Sequence, residues 1–130
     1  MVNFRMANWQ RGDLYLKGTK DALADFIHAA INSDVSIHGL SLPVVTGAYI
    51  DSEIKVDFDE SSKIDDGCYI YKTYLSNCGS IAIDDFLQLS KTFNVDVYVN
   101  VADPWGGMQH TLLIENGVIS KNEVKEFECE

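Results

Sequence analysis

Val95-Asp96-Val97-Tyr98-Val99-Asn100-Val101 places an apolar residue at every second position and a polar or amphipathic one between. Strand side chains alternate between the two faces of a sheet with this period, so the segment reads as a half-buried strand. Beyond it, Asp103-Pro104-Trp105-Gly106-Gly107 is a turn and residues 109–115 form a partner strand. Asn116-Gly117 is a strong two-residue hairpin signal ahead of Val118-Ile119. The tail from Lys121 to Glu130 is charged and reads as a short helix or a frayed end. On the N-terminal side, Ile83, Phe86, Leu87, Ser90 and Phe93 fall on one side of a helix that Asn94 ends. Ser80 is its candidate cap, and Asp84 and Asp85 lie in the first two turns, where the helix dipole favours acids.

Further back, Cys68 to Ser76 is a strand rich in tyrosine and β-branched residues. Ile54, Val56 and Phe58 alternate with Lys55, Asp57 and Asp59, a half-buried strand with a mostly acidic outer face. Asp65-Asp66-Gly67 marks a turn, and the two strands pair as a hairpin. Residues 39–52 are broken by Gly39, Pro43 and Gly47 and read as a bent strand or a packed loop. Val35 to His38 is a short strand-like piece. Ala22, Leu23, Phe26, Ile27, Ala30 and Ile31 recur at three- and four-residue spacing, one apolar face of a helix that Thr19 can cap. Leu14 and Leu16 alternate with Tyr15 and Lys17 as a strand, and residues 1–10 are a lead-in with Trp9 as an anchor.

The order is strand, helix, strands, helix, strands. An antiparallel sheet with two helices on one face buries both apolar helix stripes. The expected architecture is therefore α+β, a ferredoxin-like βαββαβ core with a C-terminal hairpin added. The length of 130 residues fits one domain over 1–130, and 46% hydrophobic residues are enough for a core. No apolar run reaches the roughly 20 residues that span a bilayer, and the N-terminus lacks a signal-peptide pattern. The expected location is the cytosol. Three cysteines, Cys68, Cys78 and Cys129, include no C-x-x-C pair, so neither a disulfide framework nor a closed zinc site is expected. Cys68 and Cys78 are close enough in sequence to oppose one another on a hairpin.

Twenty acids face ten bases, a formal charge of −10. Such a field repels nucleic acid and anionic membrane and attracts basic surfaces. The acids cluster: Asp51, Glu53, Asp57, Asp59, Glu60, Asp65 and Asp66 meet only Lys55 and Lys63 between residues 51 and 66. The bland account of Asp57 and Asp59 is a solvated strand face. The sharper one is a contact surface, because a row of carboxylates imitates the phosphates of nucleic acid.

Signatures of catalysis are missing: no Gly-x-Ser-x-Gly, Walker loop, Gly-x-Gly-x-x-Gly or His-Glu-x-x-His. The acids of 51–66 do not match a calcium loop, which needs oxygen ligands at alternate positions, a central Gly and a terminal Glu. His28 reads as a structural or surface histidine, and His38 and His110 meet only if a sheet brings them together. No cofactor or metal is expected. Tyr69 and Tyr71 share a strand face with Leu75 and read as core, whereas Tyr74 faces the other way and is a candidate contact residue. Trp105 is either folded back onto the sheet or a contact residue.

Asn8-Trp9, then Gly12-Asp13-Leu14-Tyr15-Leu16-Lys17-Gly18 and a helix, resembles the opening of a ferredoxin-like domain family carried by phages and plasmids. The strand Val95–Val101, with a Gly-bearing turn and another strand, resembles that family's end. The resemblance implies a mobile-element origin, in which small acidic proteins often block host defences.

The leading expectation is a non-catalytic binding protein that inhibits a host nucleic-acid-handling protein by occupying a basic surface. An RNA-guided CRISPR nuclease is the specific case, since such enzymes hold substrates in basic channels. Its candidate partner-binding residues are Asp57, Asp59, Glu60, Asp65, Asp66, Tyr74 and Trp105. One alternative is a small-ligand binder or enzyme with a pocket under loops 39–52 and 103–107. Another is a structural module that dimerises through an exposed strand edge.

Overall fold

The computed structural model describes residues 9–31, 35–36, 39–42, 45–50, 63–65, 67–103 and 105–126. In chain order the elements are β1 (Trp9–Gly18), α1 (Lys20–Ile31), β2 (Val35–Ser36), β3 (Gly39–Ser41), β4 (Ala48–Ile50) and β5 (Lys63–Asp65). They continue with β6 (Cys68–Cys78), α2 (Ile83–Phe93), β7 (Asp96–Asp103), β8 (Met108–Glu115) and β9 (Val118–Glu126). The strands form one antiparallel sheet in the order β2-β3-β4-β6-β1-β7-β8-β9, with β5 paired to the other end of β6. The expected α+β class with an antiparallel sheet and two helices holds. The sheet is larger than a four-stranded core with one hairpin, because β2, β3 and β5 extend it around β4 and β6.

Register puts the core on one face. Leu14 and Leu16 of β1 lie opposite Val99 and Val97 of β7, which in turn oppose Leu112 and Ile114 of β8. All six are buried. On the other side of β1, Leu16 meets Tyr71 and Gly12 meets Leu75. Leu23, Phe26 and Ile27 of α1 and Phe86 and Leu89 of α2 close over this surface. Each fully buried large apolar side chain contributes about 1.5–3 kcal/mol relative to exposure. Phe26 ties the layers together: its ring lies 5.7 Å edge-on from Phe93 of α2 and 5.9 Å from Tyr71 of β6.

The helix ends show how local chemistry set the boundaries. Thr19 caps α1 as expected, its Oγ1 accepting the Ala22 N–H at 3.1 Å. Ser80 does not cap α2. Instead Asn77 donates Nδ2 to the carbonyls of Gly79 and Ser80, both at 3.0 Å, and pins that stretch as a loop. The helix begins at Ile83 behind Ala82, which makes no side-chain cap. Asn94 ends α2 in a left-handed conformation, φ 55°, where Asn is among the residues that tolerate it best.

Three further expectations are corrected. Residues 9–10 are not lead-in but the start of β1, where Trp9 pairs with Cys78. Residues 118–126 are neither helical nor frayed: the Asn116-Gly117 turn, φ 54° and 73°, hands the chain directly into β9 alongside β8. Cys68 and Cys78 stand at opposite ends of the same strand, about 33 Å apart at strand rise, so they cannot bridge. The expected strand through Ile54, Val56 and Phe58 lies outside the described residues. Within its hairpin, β5 is the segment that pairs with β6. Among the described residues no helix is long and apolar enough to cross a membrane.

Candidate functional site

Both helices lie on one face of the sheet, so the same alternation that buries Leu14, Leu16, Val97 and Val99 turns Tyr15 and Tyr98 to the opposite, outer face. Those rings meet across β1 and β7 with centroids 5.5 Å apart. The Lys72 ammonium of β6 sits 5.3 Å from the Tyr15 ring, a cation–π contact. Toward the other end of β1, the Arg11 guanidinium lies 5.5 Å from the Trp9 ring, and Trp9 lies 5.9 Å from Tyr49 of β4. Asn100 Oδ1 accepts Gln109 Nε2 at 2.8 Å and Thr111 Oγ1 at 3.4 Å on the same face. The outer face is thus a row of aromatic rings bracketed by cations and amides.

Charge is unevenly distributed. By register the outer face carries Arg11, Lys17, Lys72, Lys121 and Lys125, half of the ten bases in the chain. Against them stand four of the twenty acids, Asp13, Asp96, Glu115 and Glu123. This count covers the described side chains. Asp21, Asp25 and Asp84 are exposed on the helices instead. Glu123 lies between Lys125 at 3.2 Å and Lys121 at 3.6 Å. The hydrogen bond and positive charge of Lys125, with the charge of Lys121, hold its carboxyl below the ordinary glutamate range.

The sequence-based site residues separate. Tyr74 is on the outer face opposite Asp13 and is 50% exposed. Trp105 stands at the tip of the β7–β8 turn, 94% exposed, and is not folded back onto the sheet. The turn beneath it is well held: buried Asp103 accepts the N–H groups of Trp105 and Gly106 on Oδ1 at 3.1 and 3.0 Å. Asp65 is in β5, its backbone in register with Cys68. Asp57, Asp59, Glu60 and Asp66 lie outside the described residues. Tyr71 is buried and Tyr69 packs against the core, as their shared face with Leu75 implied.

His110 is on the helix side of β8, only 8% exposed, with Nε2 2.6 Å from Asn122 Oδ1 of β9. Its partner is an amide across a strand pair, and His38 lies outside the described residues. His28 is exposed in the last turn of α1. No group of three His, Cys, Asp or Glu among the described residues could hold a metal ion. The turn at 103–107 and the loop before β4 share one end of the sheet, but β6 and β1 stand between β4 and β7. That is about 14 Å at the usual strand spacing.

The aromatic row was missed by reading the chain for motifs. Its signal was present as the second face of strands whose first face was recognised: Tyr15 between two leucines, Tyr98 between two valines. No protein-family model, curated protein or solved structure matches the chain.

Proposed function

We propose that this protein acts by binding, and that it inhibits a nucleic-acid-handling protein by occupying a basic surface on it. The observation that carries this reading is the displacement of acid from the sheet's outer face. Among the described side chains that face holds five bases and four acids, whereas the others hold two bases, Lys20 and Lys91, and six acids. In sequence, a run of seven acids lies between Asp51 and Asp66. A concentrated carboxylate surface competes with phosphates for Lys- and Arg-lined grooves, and an RNA-guided nuclease of CRISPR type is the specific target. Trp105 and Tyr74, both exposed, serve as aromatic anchors. The spatial order β7-β1-β6-β4 supports a ferredoxin-like core at the centre of the sheet, with the remaining strands as additions; the proposed setting is that of a mobile-element protein working in the host cytoplasm. The test is affinity capture from a host lysate at low and raised salt, with a triple variant Asp57→Lys/Asp59→Lys/Glu60→Lys alongside. A main partner lost at high salt and lost with the variant is expected; capture indifferent to both would refute charge mimicry.

A further inference from the structure

Two edges bound the sheet, and they differ sharply. At one end β2 has two residues; at the other β9 has nine, and among the described residues no strand pairs with its outer side. A long unpaired strand presents a row of N–H and C=O groups ready to template another strand. The exposed apolar side chains gather here as well. Of the six large hydrophobic residues that are exposed among the described residues, Trp105, Met108, Val118, Ile119 and Val124 lie on β9, on β8 beside it or on the turn that starts β8; Tyr74 lies elsewhere. Among the described residues the main helix contacts reach no further out than β8, and Val118, Ile119 and Val124 of β9 are exposed.

We infer that β9 is a self-association edge, which pairs antiparallel with β9 of a second copy about a two-fold axis through Asn122. An antiparallel two-fold pairing must match residues on the same sheet face, which limits the registers to those centred on a residue. Centred on Asn122, Lys121 stands opposite Glu123 of the second copy and Glu123 opposite its Lys121, all on the outer face. Directly opposed side chains lie about 4.5–5.5 Å apart at Cβ, within ion-pair reach. Centred one residue further on, Lys121 would oppose Lys125 and repel it; centred on Val124, Glu123 would face Lys125, a register that the charge-swapped variant below separates from the first because it would set lysine against lysine. The bulge between Leu113 and Ile114, opposite Ser120, ends the regular pairing on each side. The occupant is a second copy because the strand is charge-complementary to itself.

Two chains of −10 repel one another, so added salt strengthens this contact by screening. An electrostatic complex with a basic partner responds to salt in the opposite sense, so failure of this inference and failure of the proposed function are distinguishable. The experiment is light scattering after size exclusion on the full chain at low and raised salt. The expected result is a mass twice the 14.5 kDa chain, more populated in salt. Glu123→Lys places lysine against lysine and is expected to give monomer with unchanged circular dichroism. Lys121→Glu/Glu123→Lys swaps the charges, restores the complement and is expected to restore the dimer. A monomeric wild type, a dimer that survives Glu123→Lys, or a double variant that stays monomeric would each overturn the inference.

Discussion

Tyr15 and Tyr98, one from each of the neighbouring strands β1 and β7, hold their rings 5.5 Å apart on the face away from the helices. Aromatic pairs at this separation are worth about 0.5–1.5 kcal/mol beyond their burial. The pair therefore fastens the middle of the sheet from its outer side. A double-mutant cycle with Tyr15→Leu and Tyr98→Leu, read by urea unfolding, is expected to give a coupling of about 1 kcal/mol. A coupling near zero would make the two rings independent.

Gly12 marks a close approach between strands. A Cβ there would strike the Asn100 carbonyl oxygen and come within 2.9 Å of Val101 Cα, both backbone atoms. Backbone cannot step aside as a flexible side chain can. Gly12→Ala is expected to destabilise by about 3 kcal/mol, the upper part of the overpacking range, seen as a lower urea midpoint.

Asn116 takes φ 54° at the first position of the β8–β9 turn. Its N–H also bonds Asp96 Oδ1 at 3.0 Å. A β-branched residue is poorly suited to that conformation, so Asn116→Val is expected to cost about 1–2 kcal/mol. Asn116→Gly should be near neutral, since both keep the N–H. Thermal melts of the two variants separate backbone strain from loss of contacts.

Glu123 titrates below the ordinary glutamate range because Lys125 and then Lys121 favour its charged form. A carboxylate whose folded pKa is depressed adds stability that is complete above its unfolded pKa and is lost as pH falls through the folded one. The side chain is solvent-accessible, so its effect on unfolding should be slight and should shrink in salt. The direct check is NMR titration of the side-chain carboxyl, with Lys125→Met expected to move the midpoint upward.

Tyr74 and Trp105 are exposed and lie away from the packed core. Tyr74→Ala and Trp105→Ala are expected to change stability by no more than about 0.5 kcal/mol. Each is expected to weaken partner capture by about tenfold, the effect of losing 1.4 kcal/mol of contact. Capture equal to wild type would remove them from the interface.

Strong periodicity made part of the fold legible. The alternation at Val95–Val101 anticipated β7, and the apolar spacing from Ala22 anticipated α1. The short strands β2, β3, β4 and β5 have only two or three residues each, too few for a period to register. Their assignment depends on neighbours such as Ile50 meeting Leu75, a relationship no local window contains. The end of the chain was misread because its charges drew attention from its spacing. Lys121, Glu123 and Lys125 in fact alternate with Asn122 and Val124 at the strand period. Ser80 was a sound cap by type, but Asn77 Nδ2 holds its carbonyl in the preceding loop and α2 starts at Ile83 without a side-chain cap. Of the candidate site, Tyr74 was legible from its face, whereas the Tyr15–Tyr98 pair required knowing that β1 and β7 are neighbours.

The position of β1 at the middle of the sheet has a kinetic consequence. Trp9 pairs with Cys78, and Arg11 with Ala102, so β1 has neither neighbour until most of the chain has been synthesised. On the ribosome its leucines stay uncovered through that interval. Closing such long loops before any contact rewards them makes folding slow, in the range of milliseconds to seconds for sheets of non-local pairing. Completion of β7 is then the event that commits the chain, and nascent chains stopped short of Ala102 should remain chaperone clients.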